Sequence, residues 1–153
     1  VTPAGQITYR AGEESRYPIP SNQEPTAAQA AQAAWELLCR AAEPFENTPD
    51  YVLTGVEELE GGWAVTFGAR LDGIPVSVGE KGYSARMVTE GRKISEFTLT
   101  LRTYAPTDST TLIPSGRLAA AALRSIPGTD GKLALRYSDN LSATLTAGWM
   151  AGE

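Results

Sequence analysis

Between Gly61 and Tyr104 the chain alternates with a period of two. Trp63, Val65, Phe67, Ala69 and Leu71 interleave with polar or small residues, and Phe97, Leu99 and Leu101 interleave with Glu96, Thr98, Thr100 and Arg102. Such alternation belongs to strands with one buried and one solvated face. Shorter runs at Ile74–Val78 and Tyr83–Thr89 lie between them. The turn signals Asp72-Gly73, Gly79 to Gly82 and Glu90-Gly91 separate these runs and suit antiparallel hairpins, so one meandering sheet is expected.

Around this centre the pattern changes. Residues 1–24, with Pro3, Pro18 and Pro20, read as an extended arm or tether with room for one short strand at Gln6 to Arg10. From Thr26, Gln29, Gln32, Glu36, Arg40 and Glu43 recur at spacings of three and four. Ala31, Ala34, Trp35, Leu38 and Ala42 are left opposite, which predicts an amphipathic helix of about 18 residues with Pro25 in its first turn. Trp35 is its expected anchor on the sheet. Tyr51 to Leu59 reads as a strand. After the break at Ala105 to Ser109, Ser115 is a candidate N-cap for a shorter helix from Gly116 to Ile126. Two strands follow, carrying Leu133, Leu135 and Tyr137 and then Leu141 to Trp149, joined by a turn at Ser138-Asp139-Asn140.

Helix followed by antiparallel strands therefore occurs twice. The expected class is α+β, with antiparallel sheet or sheets and helices packed on one face. Residues 25–105 would form a first helix-plus-sheet unit and residues 106–153 a second, shorter helix-plus-hairpin unit packed on it. The alternative is a single α+β sheet with an incidental second helix.

At 153 residues the chain can bury roughly 68–70% of its unfolded surface and fold without staples. No apolar run approaches the roughly 20 residues of a membrane-spanning helix. Thirteen basic and 18 acidic residues give a net charge of -5, which argues against nucleic acid as a partner. The charge is uneven: residues 11–60 are acidic, whereas residues 61–104 are mildly basic. The chain opens on Val1, from which removal of an upstream segment, a signal or an anchor, is expected.

The chain has no histidine, so Ser-His-Asp and Cys-His catalysis and histidine-based metal sites are excluded. One cysteine, Cys39, rules out an intrachain disulfide and a thiolate metal cage; beside the helix's apolar face it reads as a packed thiol and not a nucleophile. Glu57, Glu58 and Glu60, and Glu13 with Glu14, are the densest carboxylates, and their place at turns or in the arm reads as solvated surface. No catalytic residue, metal ligand or cofactor is assigned. One constellation remains. Arg70, Arg86 and Arg102 occupy polar positions of three strands, with Thr66, Ser84, Thr98 and Thr100 nearby. If their faces coincide they form a basic, hydroxyl-rich platform for an acidic partner or ligand; otherwise they are a solvated sheet face.

Several stretches resemble the PepSY-like domains, and more narrowly the YycH/YycI type of extracytoplasmic regulatory protein of Gram-positive bacteria. They are Gly62-Trp63-Ala64-Val65-Thr66-Phe67 and Leu71-Asp72-Gly73-Ile74-Pro75-Val76, then Leu112-Ile113-Pro114-Ser115, Leu135-Arg136-Tyr137-Ser138-Asp139 and Trp149. The resemblance covers roughly Ala27 to Met150. It implies tandem helix-plus-sheet units outside the membrane, anchored or secreted through an N-terminal segment absent from this chain. It also implies action through contact with a protein, such as a membrane sensor kinase or peptidase, without catalysis. With the missing catalytic groups, this points to a non-enzymatic regulatory or protein-interaction domain that does not itself insert into a membrane. A small-ligand or cell-wall-binding module using a sheet groove is the alternative, and an acid-dependent hydrolase stands third.

Overall fold

The structure is a computed structural model, which describes residues 5–12, 17–107, 112–124, 132–142 and 144–151. It is α+β, with a mostly antiparallel open sheet and two helices. The elements in chain order are β1 (Gln6–Arg10), α1 (Ala27–Ala42), β2 (Asp50–Leu59), β3 (Gly62–Leu71), β4 (Ile74–Val78), β5 (Ala85–Glu90), β6 (Lys93–Thr100), α2 (Gly116–Arg124), β7 (Leu133–Asp139) and β8 (Thr146–Ala151). The Cys39 thiol and the side of α1 around Trp35 depart from expectation, as described below.

β3 is the node of the sheet. β2 pairs with it along its whole length, from Asp50 opposite Arg70 to Leu59 opposite Gly62. A strand has two edges, so β5 and β4 must share the other: β5 takes Ala64 to Phe67 and β4 takes Ala69 to Leu71. The sheet therefore forks. One arm continues β5–β6–β1, and the other continues β4–β7–β8 through a parallel pairing of Val76, Ser77 and Val78 with Tyr137, Ser138 and Asp139. The expected meander is corrected here, because Gly79 to Gly82 is not a hairpin turn. It carries the chain across from one arm to the other. The Asp72-Gly73 turn is a true hairpin, with φ of 52° and 78° as a two-residue connection of this hand requires. Within the stretch expected as an arm, β1 pairs with β6 and Ile19 is buried.

α1 covers one face of the fork's centre. Thr26 caps it: its Oγ1 accepts from the Gln29 amide at 3.3 Å while its own amide donates to the Gln29 side chain at 3.0 Å. Pro25 precedes the cap instead of entering the first turn, and its carbonyl accepts from the Trp63 indole at 2.8 Å, which ties the start of the helix to β3. Ala30, Ala34, Leu37 and Leu38 pack on Val65, Phe67, Ala85, Met87, Phe97 and Leu99. The buried stripe is thus rotated from the expected one. Trp35 lies at its margin, 40% exposed, although its ring still meets Phe67 at 5.9 Å between centroids. Fully buried Ala30 and Ala34 face the sheet, and Trp35, one position on from Ala34, is turned to the side of that stripe. The same rotation leaves Cys39 exposed, which corrects the packed thiol.

A second, smaller core joins Ala69, Val76 and Val78 to Leu71, Tyr104, Tyr137 and Leu145. α2 packs on β7 and β8; Ser115 Oγ accepts from the Leu118 amide at 3.4 Å, and the Trp149 indole donates to the Pro114 carbonyl at 2.8 Å. Ile126 lies outside the described residues. Among the described residues no helix is long and apolar enough to cross a membrane.

Two stability measurements follow. Phe67→Ala should cost about 3–5 kcal/mol in urea unfolding, and Trp35→Ala well under that; equal losses would contradict the rotated stripe. The Tyr51 hydroxyl is buried without a hydrogen-bond partner, and burial pushes its pKa up to about 12. The unfolded chain releases this proton near pH 10 while the fold retains it, so stability falls as pH rises from about 10 to about 12. Tyr51→Phe should make that fall shallower, without abolishing it, and cost nothing at pH 7.

Candidate functional site

The face of the fork opposite α1 carries the polar half of each alternating strand. Residues paired across strands share a face. The register aligns Thr66 of β3 with Arg86 of β5, Arg86 with Thr98 of β6, and Thr98 with Thr8 of β1, so one row crosses four strands. Thr54, at the bulge in β2, donates to Thr66 Oγ1 at 3.3 Å and extends the row. Arg70 lies four residues beyond Thr66 on the same face, opposite Asp50 and Pro75. Two of the three expected arginines therefore share this open face.

Arg102 does not join them. β6 ends at Thr100, so the alternation that would have exposed Arg102 no longer applies there. Its Nε donates to Asp139 Oδ2 at 2.6 Å, and its Nη2 donates to Asp139 Oδ1 at 3.1 Å and to the Ser142 carbonyl at 2.6 Å. Asp139 is fully buried, whereas the Arg102 side chain is 23% exposed. Tyr104 donates a further bond to Oδ2 at 2.9 Å, and the Leu141 amide donates to Oδ1 at 2.8 Å. Burial, then the bond to Asp139 and that carboxylate's charge, hold the Tyr104 phenol well above its usual pKa. Asp139, expected in a turn, instead ends β7. Its parity with Leu133, Leu135 and Tyr137 was the signal in the sequence that it faces inward.

This buried pair spans the fork, since Arg102 follows β6 of one arm and Asp139 ends β7 of the other. Beside it the arms leave a groove of about 500 Å³. Gln6, Thr98 and Thr100 line it from the first arm, and Val78, Asn140 and Leu141 from the second, with Gly79 to Tyr83 crossing between. The Gly79 amide donates to the Asp139 carbonyl at 2.8 Å, so the crossing segment is fastened to the same strand end as the ion pair. Gly79 and Gly82 adopt φ of 58° and 71°, which glycine tolerates without strain. Ser84, expected on the platform, is 2% exposed, and its Oγ has no hydrogen-bond partner.

Among the described residues no three His, Cys, Asp or Glu side chains gather as a metal site. The groove offers hydrogen-bonding groups, one aromatic ring and one charge of each sign, an inventory suited to holding a ligand. No family model matches the chain, and neither a curated protein nor a solved structure matches it.

Removing one partner of a buried ion pair strands the other charge, so Arg102→Ser or Asp139→Asn should each cost about 3–5 kcal/mol. Arg70→Ser, on the open face, should stay within about 0.5 kcal/mol of wild type. Chemical denaturation of the three variants checks this ordering.

Proposed function

We propose that this chain is a non-enzymatic binding domain that engages a protein partner through the open face of its forked sheet. The observation that carries this reading is the row Thr8–Thr98–Arg86–Thr66, a half-exposed cation set among hydroxyls on the face that α1 does not occupy. A partner presenting acidic side chains complements it, with Arg70 as a second contact. Complementary charge of this kind sets specificity and encounter rate.

The tandem helix-plus-sheet organisation, PepSY-like and with residues 25–105 and 106–153 as its units, is part of the same proposal. It is supported by α2 packing on β7 and β8 as α1 packs on β2, β3 and β5. A regulatory role outside the membrane, on a sensor kinase or peptidase, is the form of protein contact that the resemblance implies. The absence of histidine from the chain supports the non-enzymatic reading. A small-ligand module is the second reading, favoured by the groove between the arms.

The immobilised chain, presented to detergent-solubilised Gram-positive membranes, should retain a protein partner that the double variant Arg70→Ser/Arg86→Ser retains poorly. Arg102 is left intact so that the fold is preserved. Raising salt should weaken the wild-type complex, because exposed charges are screened over about 10 Å at 0.1 M. A partner held by the double variant with unchanged affinity and salt dependence contradicts the proposal.

A further inference from the structure

The groove between the arms adjoins the arginine row and shares Thr98 with it, but the rest of its lining has a different chemistry. Gln6, Thr98, Thr100 and Asn140 contribute neutral groups that both donate and accept hydrogen bonds. Tyr83 adds an aromatic ring and a hydroxyl, and Val78, Gly79 and Leu141 add apolar surface. The charged lining residues, Glu80 and Lys81, are adjacent in sequence and opposite in sign, so the groove carries no net charge. Beneath the lining, the Ser84 carbonyl accepts from the Thr100 amide at 2.8 Å and holds the end of β6 in place.

Each ligand class places different demands on such a lining. An anion wants a net positive site, which Glu80 denies. An apolar ligand would strip water from four amide or hydroxyl side chains and return no hydrogen bonds. A ligand whose own hydroxyls donate and accept at once matches groups that do the same, and the C–H face of a sugar ring packs on an aromatic side chain. About 500 Å³ lies within the usual range for small-molecule sites and leaves room for one or two sugar rings.

We propose that the groove is a binding site for a neutral saccharide, held by Gln6, Thr98, Thr100 and Asn140 with Tyr83 against the ring. The Arg102–Asp139 pair is a positioning element for it. Through the Leu141 amide and the Ser142 carbonyl the pair sets the Asn140–Leu141 wall, and Gly79 is fastened to the Asp139 carbonyl beside it. The site stands on the groove alone and does not require the protein partner.

The test is a ¹⁵N–¹H NMR titration with N,N′-diacetylchitobiose, cellobiose and maltose, and with glucuronate as the charged counterpart. At least one neutral disaccharide should shift the amides of Tyr83, Thr98, Thr100, Asn140 and Leu141 saturably at millimolar concentration. Tyr83→Ala and Thr98→Val, the latter close to isosteric and favourable in a strand, should each weaken that binding about tenfold while the dispersed spectrum shows the fold intact. Arg70→Ser, on β3 away from the groove lining, should leave it unchanged, so failure here is separable from failure of the protein-partner reading. The proposal is overturned if none of the three disaccharides shifts these amides. It is equally overturned if the shifts persist undiminished in Tyr83→Ala, or if glucuronate binds more tightly than every neutral sugar.

Discussion

A carboxylate with no exposed surface must be matched by charge and hydrogen bonds, or it will not stay ionised inside the fold. Asp139 is matched by Arg102 through two bonds, by Tyr104 and by the Leu141 amide. These partners come from the chain beyond β6 and from the turn beyond β7, so meeting the demand of one buried group closes the two arms of the sheet onto each other. Apolar packing alone does little of this work, because the second core beside the pair has three buried members, Ala69, Val76 and Val78.

The fork itself follows from how β3 shares its edges. β2 occupies one edge completely, so β4 and β5 divide the other, and the crossing segment Gly79 to Gly82 must span the gap between the arms. That gap is the groove. Its lining combines wet positions of β6 and β1 with the crossing segment and the turn that Asp139 pins, so strand alternation supplies one wall and loop residues the rest. α1 covers the opposite face, which keeps the Thr8–Thr98–Arg86–Thr66 row open.

Much of the local structure was legible in the sequence. The bounds of β4 coincide with the expected Ile74–Val78, and the strongly alternating β3 and β6 are present. Pairing partners were not legible, because period two reports which face a residue occupies and not which neighbour it meets. For that reason β5 was expected beside β4, and the parallel pairing of β4 with β7 was not foreseen. Of the candidate site, alternation put Arg70 and Arg86 at polar positions of their strands, and only the strand register brings them to a common face. Arg102 was misplaced because alternation was extended two residues beyond the end of its strand. Trp35 illustrates a different limit: helical periodicity defines a stripe only to within about one residue's rotation, and here the two fully buried alanines face the sheet with Trp35 turned to the side.

The claim on which the rest depends is that Asp139 and its partners hold the groove's wall as one piece with the sheet. Native-state hydrogen exchange measures it directly at the Leu141 and Gly79 amides, which donate to Asp139 Oδ1 and to its carbonyl. If the account is right, both amides exchange only with the opening that also exposes β4 and β7, despite their position in loops, and Asp139→Ala, which removes the acceptor, lowers the protection of Leu141 by more than that of β4 and β7. Fast exchange of both in the wild-type chain, while β4 and β7 remain protected, would show that the wall moves independently and that the buried pair does not organise the site.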